Sequence, residues 1–559
     1  MDLLVNVIHR LITSPLFLLS VLLSSLAILL VIIYRLTLHP LSRYPGPFLA
    51  RITDIHLAYH AWKGDRHLEL WRSHLKYGSI VRVGPNDLSI NTVSGLKTIY
   101  GFRANVRKSD FYTAFPANKN TYNTHSSIDK TVHARKRRVL SHAFSDSAVK
   151  SLERYILANV RTACRILGER AHEGGNGGMT VGDGVEKKWT QGLNMANWCN
   201  WLVFDIMGDL VFGKAFGMLE SPTNRFAVDL VGKAAHRHLI CGTHLTIHKY
   251  HLDKLLFPKI AATRAQYMQY SRTQAASRTK LGLDIDRQDF FFHLLNARDP
   301  ETGQGFSNNE LWGESNLLII AGSDTTSTAM AATFFYLVHN PLTLAKLTQE
   351  VREAFSSVED IVFGPTLSGC AYLRACIDEA MRMTPPVPGS LPRAVLSGGI
   401  EVDGHHIPAG AVVGVPTYAI HHNSDYYPRP FDYIPERWLA SPPPPTPTPT
   451  SSSCPQISSP NPFPSHLPTA HSAFCPFSIG PRGCIGKGLA YVELTLTIAR
   501  VLWLFDVRLS PGTTLGEGRV GAEVGRERTG EFQIQDRFAS WKDGPVMEFR
   551  SREGAGVGD

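Results

Sequence analysis

The chain has 559 residues, of which 43% are hydrophobic, so it is long and apolar enough to bury a large core. Its net charge of +9 is spread along the sequence, with one dense basic run at 135–138, which argues against nucleic-acid binding. The eight cysteines form no CxxC pair and no small-scaffold spacing, so we expect no disulfide framework and a reducing compartment.

The first predicted element is an uncharged, apolar stretch at 16–34, which at roughly 20 residues can cross a bilayer as a helix. A cleaved signal peptide is the alternative, but its apolar region is usually shorter and ends in an A-x-A-like site that we do not find here. We therefore expect residues 1–35 to form a membrane anchor. The positive-inside rule places the rest of the protein in the cytoplasm, because arginines cluster after the stretch, at Arg35, Arg43 and Arg51.

A stiff elbow is expected at 36–50, since Pro40, Pro45 and Pro47 each lack a backbone donor and cannot continue a helix. The main domain is then expected to cover 51–559. Near its start, β-branched residues around a Gly-Pro turn predict a short hairpin within Tyr77 to Ile90. Most of the remaining sequence favours helix.

Two segments have a composition that cannot bury enough apolar surface to offset chain entropy. Residues 168–184 are rich in glycine, and residues 441–465 form a Pro/Ser/Thr tract. We interpret the second as a low-complexity insertion at about 441–470. It is either a surface loop or an error in the gene model, such as a retained intron, and sequencing the transcript would decide between them.

The clearest helix begins at Ser307, which forms a capping-box pattern with Glu310, and ends at the Asn-Pro pair at 340–341. Polar residues at 323–328 lie in its middle, so it is predicted to be a core helix with polar chemistry rather than a second membrane span. The glycine, acid and hydroxyls at 322–326 are expected to open the helix locally and leave a groove.

Two short motifs follow. Glu379 and Arg382 are spaced to meet on one helix face, which alone indicates only a surface ion pair of little energetic value. Residues 435–438 read Pro-Glu-Arg-Trp and supply a second arginine, Arg437.

The segment FSIGPRGCIG at 477–486 fits the pattern F-x-x-G-x-R-x-C-x-G at all five defining positions, and a chance match is on the order of one in ten thousand. We expect Cys484 to be a thiolate ligand whose pKa is lowered by an amphipathic helix at 489–504. Nearby glycines would let N–H groups approach the sulfur. An inert buried cysteine is the alternative. Cys475 is the rival nearby ligand and lacks the downstream glycines.

The segment at 477–486 resembles the haem-binding loop of the cytochrome P450 family, and the other motifs occur in the family's order from about residue 40 to residue 550. The resemblance implies a mainly α fold with a small β region. In this fold, haem b lies between the long central helix and the cysteine loop, and the Cys484 thiolate binds the iron. Further cofactor contacts are implied for Phe477, Arg482 and Gly486.

The resemblance also implies haem contacts outside this loop. His133 and Arg137 take the place of the family's W-x-x-x-R helix, with His133 where Trp is common, and Arg393 is another expected propionate contact. The neighbouring Arg135, Lys136 and Arg138 fit a solvated basic helix face nearly as well. Basic residues on this side could also dock an acidic electron-transfer partner.

Residues 321–326 match the family's oxygen-activation motif A/G-G-x-D/E-T-T/S. By this resemblance Thr325 positions a proton donor and Asp324 connects it to solvent. The alternative is a core helix whose hydroxyls bond its own carbonyls. Glu379, Arg382 and Arg437 are expected to form a buried structural network that fixes the Cys484 loop, with Trp438 where the family has Phe.

The implied function is a haem-thiolate monooxygenase that inserts one atom of dioxygen into an apolar or amphipathic small molecule, with secondary metabolism as the expected setting. Electrons would come from NADPH through a separate NADPH-cytochrome P450 reductase, with cytochrome b5 as a further candidate partner. The reason is that we expect no G-x-G-x-x-G dinucleotide fingerprint in the chain and no room for a fused reductase. The alternatives are a haem-thiolate isomerase or dehydratase and a non-catalytic membrane haem-binding protein.

The expected location is the endoplasmic reticulum membrane, with the catalytic domain facing the cytoplasm and in contact with lipid. No nucleic-acid partner is expected. The substrate pocket is expected to be lined by four segments, which are the loop Phe111 to Tyr122, the helix at Ile320 to Thr325, the stretch Val387 to Leu391 and the hairpin near Phe538.

Overall fold

The computed structural model describes residues 14–116, 122–173, 189–280, 289–440 and 463–553. Most of the Pro/Ser/Thr tract and of the glycine-rich segment lies outside these ranges, as does part of the predicted pocket loop after residue 116. The predictions for these segments therefore fall outside the described residues.

The first described element is the apolar helix α1 (Pro15–Ile33), which the Ser14 side chain caps by accepting a hydrogen bond from the Phe17 N–H. Its ladder continues as one π-helical turn at Tyr34–Leu38. The most apolar 18-residue window of the span Pro15–Leu38 has a mean hydropathy of 3.0, and none of that window is buried. By length and composition it is able to cross a membrane.

The elbow after α1 is docked on the rest of the chain. Leu41 and Tyr44 are buried in a hydrophobic cluster, and the Arg82 side chain donates to the Arg35 carbonyl at 2.7 Å. Gly46 lies so close to the Arg82 carbonyl oxygen that a Cβ would come within 2.1 Å of it. The proline-rich segment is thus held in place by the body of the protein.

Helices make up most of the described chain. After α1 they are, in order, α2 (Phe48–Ile52), α3 (Ile55–Lys63), α4 (Arg66–Tyr77), α5 (Val93–Tyr100), α6 (Lys130–Ser141), α7 (Asp146–Glu173), α8 (Met195–Phe212), α9 (Phe226–Thr243), α10 (Leu245–Lys249), α11 (Asp253–Leu256), α12 (Pro258–Lys280), α13 (Phe290–Asn296), α14 (Asn308–His339), α15 (Pro341–Ala354), α16 (Pro365–Gly369), α17 (Ala371–Met383), α18 (Thr417–His421), α19 (Leu467–Ala473) and α20 (Lys487–Leu504).

The strands are short and form small sheets. They are β1 (Ile80–Arg82), β2 (Asp87–Ile90), β3 (Val106–Lys108), β4 (Leu193–Asn194), β5 (Arg393–Val395), β6 (Ile400–Val402), β7 (His405–Ile407), β8 (Val412–Gly414), β9 (Phe505–Leu509), β10 (Ile534–Arg537), β11 (Ala539–Lys542) and β12 (Val546–Ser551). The sheet orders are β1-β2-β8-β5-β3, β4-β12-β9, β6-β7 and β10-β11. β1 and β2 pair antiparallel, which confirms the predicted hairpin.

The long helix α14 is the centre of the fold. It starts with the predicted capping box, in which the Glu310 N–H donates to Ser307 and the Ser307 N–H donates to Glu310, and it ends before Pro341. It packs against α8, α17 and α20. The expected local opening at 322–326 is wrong, because α14 is an uninterrupted α-helix. Gly322 instead lets α8 approach, since a Cβ there would lie 2.6 Å from the Met207 methyl carbon.

The helix after the cysteine loop, α20, is present, but it is not amphipathic. Its side chains are buried on nearly every side because α7, α14, α15 and α17 all pack against it. A helix enclosed in this way has no need of a polar face, so its apolar pattern extends around the axis.

Candidate active site

The loop before α20 is shaped by a close backbone approach. Gly480 has a φ of 69°, in the left-handed region, and a Cβ there would lie 2.1 Å from the Tyr100 carbonyl oxygen. Glycine is the residue that can meet both demands. The Cys484 N–H donates to the Phe477 carbonyl at 2.8 Å, and the Phe477 ring packs beside Tyr491. The spacing of Phe477, Gly480 and Cys484 thus has a direct structural reason in this chain.

Cys484 differs from the other described cysteines in accessibility. Its side chain is exposed, whereas the remaining ones are buried, namely Cys164, Cys199, Cys241, Cys370, Cys376 and Cys475. Burial raises the pKa of the Cys475 thiol to about 12. Cys484 is therefore the described thiol that an external group can reach, and Cys475 is a poor rival.

The expected lowering of the Cys484 pKa is wrong for the protein alone. Although solvent reaches Cys484, the protein packed around its sulfur raises this pKa, while the Gly486 N–H, Arg137 and Lys487 act in the opposite direction without outweighing it. A metal ion bound to the sulfur would supply the missing stabilisation, because a coordinated thiol loses its proton outright. The helix start and its glycines therefore assist a thiolate but do not create one.

Four of the predicted propionate contacts line one cavity of about 500 Å³. They are His133, Arg137, Arg393 and Arg482, and the residue Lys108, which sequence reasoning missed, lines the same cavity. Lys108 comes from β3 and Arg393 from the neighbouring strand β5, so sheet pairing brings them together. A lysine in a short strand carries no motif, and only the sheet register reveals its position.

Two of the cations at this cavity, Lys108 and Arg393, are buried, and a third, Arg482, is partly buried. Lys108 donates to the His125 carbonyl, Arg393 to the Tyr112 hydroxyl and to carbonyls, and Arg482 to carbonyls at 127–129. In the described part of the chain, none of the three forms an ion pair with a carboxylate. The pKa of Lys108 lies well below its usual range, mainly because the side chain is buried and also because Arg393 and Arg482 repel its charge. Such a cluster favours an anionic ligand.

His133 and Arg137 reach this region from helix α6. Burial, with Arg482 and Lys108 adding to it, lowers the pKa of His133 to about 3, so the imidazole is neutral near pH 7. Arg137 donates to the Gly483 carbonyl at 2.7 Å and so also braces the cysteine loop. One helix face therefore serves both the cavity and the loop.

The solvated basic face expected for the neighbouring residues of α6 is wrong for Lys136, which is buried against Glu310 and Glu314 of the central helix. Arg135 pairs with Glu310, and Arg138 pairs with Asp299 and Glu301. These cations tie α6 to acidic residues at 299–314, which leaves less charge for docking a partner.

Glu379 lies at the centre of a fully buried polar network. Its two oxygens accept from Arg382 at 2.9 Å each, from Arg437 at 3.0 Å and from the Trp438 indole N–H at 3.0 Å. The Ile434 N–H donates to the same carboxylate at 3.1 Å. The network joins α17 to the turn at 435–438. The substitution of Trp for Phe adds a donor that a phenyl ring lacks.

On α14, the residues Leu317, Ile320, Ala321 and Thr325 are at least partly exposed, in contrast to the buried part of the helix after Thr325. Their spacing of three and four places them on one side of the helix. The Thr325 hydroxyl donates to the Ala321 carbonyl at 2.6 Å, which is the local bond that a core hydroxyl would also make. Thr325 is therefore accessible from the open side while anchored to its own helix.

Asp324 has a cationic partner that the sequence did not indicate. Lys542 of β11 is buried, and its Nζ lies 3.7 Å from the Asp324 carboxylate. Lys542 also donates to Asn200 at 2.7 Å and to Ser327 at 2.8 Å. Burial raises the pKa of Asp324, and Lys542 and Arg537 limit the rise. Only the packing of the C-terminal hairpin against α14 brings these groups together.

Comparison with known proteins identifies the family of this chain. The cytochrome P450 family model matches residues 44–517. The chain is 39% identical over 524 residues to cytochrome P450 monooxygenase AKT7 of Alternaria alternata, covering 93% of this chain and 94% of that protein. It is 39% identical over 531 residues to cytochrome P450 monooxygenase atnE of Emericella nidulans, covering 94% and 95%. This chain belongs to the cytochrome P450 family.

As a P450, the protein is a monooxygenase that uses thiolate-ligated haem. A third relative, cytochrome P450 monooxygenase apf7 of Gibberella fujikuroi, is 37% identical over 537 residues and covers 94% of this chain and 96% of that protein. The residues of the site fit the cofactor, because an accessible thiol lies two residues after Arg482, which lines a cavity together with Lys108 and Arg393. None of these three cations forms an ion pair with a described carboxylate.

The expected absence of a G-x-G-x-x-G spacing from this P450 is wrong. Glycines at 516, 518 and 521 have the G-x-G-x-x-G spacing of a dinucleotide-binding loop. A functional loop of that type follows a strand and opens a helix. Here the glycines lie in turns between β9 and β10 with no helix after them.

Proposed function

We propose that this P450 takes electrons from NADPH through a separate reductase and inserts one atom of dioxygen into an apolar or amphipathic small molecule. Secondary metabolism is the setting we expect. The observation that carries the proposal is the accessible Cys484, two residues after Arg482 of the cavity. Arg482, Lys108 and Arg393 line that cavity without an ion pair to any described carboxylate, in a chain that belongs to a monooxygenase family.

We assign Cys484 as the axial ligand, with the Gly486 N–H directed at the sulfur. Arg482, Arg393, Arg137, His133 and Lys108 would hold the two propionates, because carboxylates are the anions that this buried positive cluster lacks. Phe477 would cover the thiolate side of the ring. When bound, the haem supplies the iron that activates dioxygen, and thiolate ligation favours cleavage of the O–O bond.

We assign proton delivery to Asp324 and Thr325. A pKa raised toward the working pH lets a carboxyl group both accept a proton from solvent and pass it on. Burial moves the Asp324 pKa in that direction, and Lys542 keeps the carboxylate anchored. The Thr325 hydroxyl, fixed to the Ala321 carbonyl, can orient a water or another donor on the open side of α14.

The expected substrate class follows from the aromatic side chains that meet beside α9. The Phe115 and Phe538 ring centroids are 4.9 Å apart, and Phe111 stacks on Phe538 at 6.2 Å. Leu239 and Ile240 of α9 complete this cluster. Two of the four predicted pocket segments, the loop that begins at Phe111 and the hairpin near Phe538, thus meet in one apolar cluster. Such a cluster favours a substrate with little charge.

The hairpin β10-β11 connects this aromatic cluster to the oxygen-activation helix. The Thr328 hydroxyl of α14 donates to the Ser540 carbonyl at 3.0 Å. The Ser540 side chain in turn donates to the Pro385 carbonyl, close to the predicted pocket stretch Val387 to Leu391. We therefore propose that substrate binds where the hairpin, α14 and this stretch meet.

We also propose a single-pass anchor in the endoplasmic reticulum membrane, with the catalytic domain on the cytoplasmic side. The support is the exposed apolar helix α1 and the arginines that follow it. Apolar side chains at Phe48, Leu49, Ile55, Tyr59 and Trp62 are exposed on α2 and α3, just after the elbow. Lipid contact would cover them.

The test is turnover in a reconstituted system that contains the full-length protein, a P450 reductase, lipid and NADPH. A panel of apolar and amphipathic compounds is screened for substrate-dependent NADPH consumption and for incorporation of isotopically labelled dioxygen. We expect one labelled oxygen atom in the product. Product formation without NADPH, or haem binding without any oxidation across the panel, would overturn the proposal. Cytochrome b5 is added in a parallel series, in which we expect faster turnover.

A further inference from the structure

A second cluster of ligand-type side chains lies away from the haem site, between α3 and α4. His56 and His60 are four residues apart on α3 and therefore share one face of the helix. Glu69 of α4 faces both imidazoles. Its Oε1 lies 3.0 Å from His56 Nε2, and its Oε2 lies 3.8 Å from His60 Nε2. All three ligand atoms lie within 4.8 Å of one another.

These separations match the spacing of ligands around a zinc ion. Nitrogen and oxygen ligands bind zinc at about 2.0–2.1 Å in tetrahedral geometry, which places neighbouring ligand atoms about 3.3 Å apart. The two observed nitrogen-to-oxygen distances, 3.0 and 3.8 Å, lie on either side of that value. An ion could therefore be held after small side-chain rotations, without any movement of the helices.

Asp65 already holds one imidazole in the orientation that metal binding needs. Its Oδ1 lies 2.7 Å from His60 Nδ1, so the ring's other nitrogen, Nε2, points toward Glu69. A carboxylate on the far nitrogen is the usual partner of a metal-binding histidine. Lys63 lies 2.7 Å from the other oxygen of Asp65, so this supporting carboxylate is itself anchored by an ion pair.

The surroundings also permit exchange with solvent. The side chains of His56, His60 and Glu69 are 18%, 13% and 17% exposed, so the cluster is shielded but reachable. Two imidazoles and one carboxylate suit zinc and similar transition ions better than calcium or magnesium, which prefer oxygen ligands.

We propose that His56, His60 and Glu69 bind a divalent transition-metal ion of the zinc class, with water as the fourth ligand. The ion would clamp α3 to α4. The inference does not depend on the monooxygenase reaction. His236 of α9 forms a hydrogen bond to the Ala61 carbonyl of α3 at 2.9 Å. By holding α3 in place, the ion would therefore also stabilise the contact between α3 and α9, beside the aromatic cluster.

The test uses the full-length, haem-loaded protein after dialysis against a chelator. Zinc chloride is titrated by calorimetry, and the retained zinc is measured by elemental mass spectrometry relative to haem iron. We expect one equivalent of tightly held zinc and a higher melting temperature in its presence. His60→Gln should remove both effects. The control His405→Gln, which deletes an exposed histidine of β7, should retain both.

A positioning variant sharpens the result. Asp65→Asn should weaken zinc affinity about 10–100-fold without abolishing it, as loss of a supporting carboxylate does at other sites. If His60→Gln fails to fold, zinc-edge X-ray absorption of the wild-type protein decides, with two imidazole ligands at about 2.0–2.1 Å expected. Sulfur ligands, or equal zinc retention by His60→Gln and His405→Gln, would overturn the proposal.

Discussion

At the scale of single residues, accessibility separates the functional side chains from their neighbours of the same type. Cys484 and Cys475 are nine positions apart, yet only Cys484 is exposed. Thr325 and Thr333 both donate to the carbonyl four residues earlier in α14, but Thr333 is fully buried and Thr325 is not. Cys475 is therefore a matched control for Cys484, and Thr333 is a matched control for Thr325.

Replacing Thr325 with Val should slow product formation by about 10²-fold or more, because the hydroxyl that orients the proton donor is lost. NADPH consumption should fall less than product, since reduced oxygen would be released unused. Product and NADPH are measured in the same reconstituted reaction. Thr333→Val removes an equivalent helix hydrogen bond and should leave the ratio of product to NADPH unchanged. An equal effect of both variants would contradict the assignment.

Gly480→Ala should disrupt the cysteine loop, because the new Cβ would meet the Tyr100 carbonyl and the left-handed φ of 69° disfavours alanine. We expect a clear loss of retained haem per protein, measured by haem extraction. Gly488→Ala is the control, since a Cβ there meets nothing within 4 Å and alanine favours the helix. Normal haem retention by Gly480→Ala would show that the close approach is not needed.

At the scale of elements, the Glu379 network connects α17 with the turn at 435–438. Burial alone would raise the pKa of Glu379, but Arg382 and Arg437 outweigh it and hold this pKa below its usual value of 4.5. The carboxylate thus stays charged and accepts five hydrogen bonds while no oxygen faces water. Paired charges of this kind are costly to disrupt from one side.

Glu379→Gln should lower the free energy of unfolding by about 3–5 kcal/mol, because two buried arginines lose their counter-charge. Trp438→Phe should cost less, about 1.5–3 kcal/mol, since it removes one hydrogen bond to a charged group. Denaturant unfolding of the wild-type protein and both variants measures the difference. A Glu379→Gln variant as stable as the wild type would contradict the network's structural role.

The same network predicts a direction of pH dependence. A carboxyl group whose folded pKa is depressed contributes stability that is present above its unfolded pKa and is lost as pH falls through the folded pKa. The stability gap between the wild-type protein and Glu379→Gln should therefore be constant near pH 7 and shrink below about pH 4.5. A gap that widens in acid would contradict the assigned charge state.

Sequence was most informative where an element follows from local chemistry. The capping box and the proline at 341 located α14, and the Gly-Pro turn located the β1-β2 hairpin, because caps and turns depend on nearby residues. Sequence was least informative where burial is decided by distant contacts. The enclosure of α20, the packing role of Gly322 and the pairing of Lys542 with Asp324 all arise from elements far apart in the chain.

At the scale of the whole molecule, motifs led to the family and its mainly α fold, because a cofactor site restricts residue types at fixed spacing. They could not reveal Lys108 or the docking of the elbow. Lys108 joins the cation cluster through strand pairing, and the elbow is held by Leu41, Tyr44 and Gly46 against the body. Such contacts leave no local pattern to read.

Deleting residues 1–33 should release the protein from membranes, because the exposed apolar helix α1 is the principal segment able to span them among the described residues. Carbonate extraction of membranes from expressing cells measures this, with full-length protein expected in the pellet. The truncated protein should retain its haem spectrum, which serves as the control for folding. If the protein expressed from the untruncated coding sequence has its N-terminus after residue 34, the result would support a cleaved signal peptide instead.

The central claim is that the Cys484 sulfur binds the haem iron, and the carbon monoxide difference spectrum of the reduced, haem-loaded protein tests it most directly. We predict the Soret band that marks a thiolate ligand in the wild-type protein, the same band in Cys475→Ala, and its loss in Cys484→Ala. A wild-type band typical of imidazole ligation, or a thiolate band that survives in Cys484→Ala, would contradict the account.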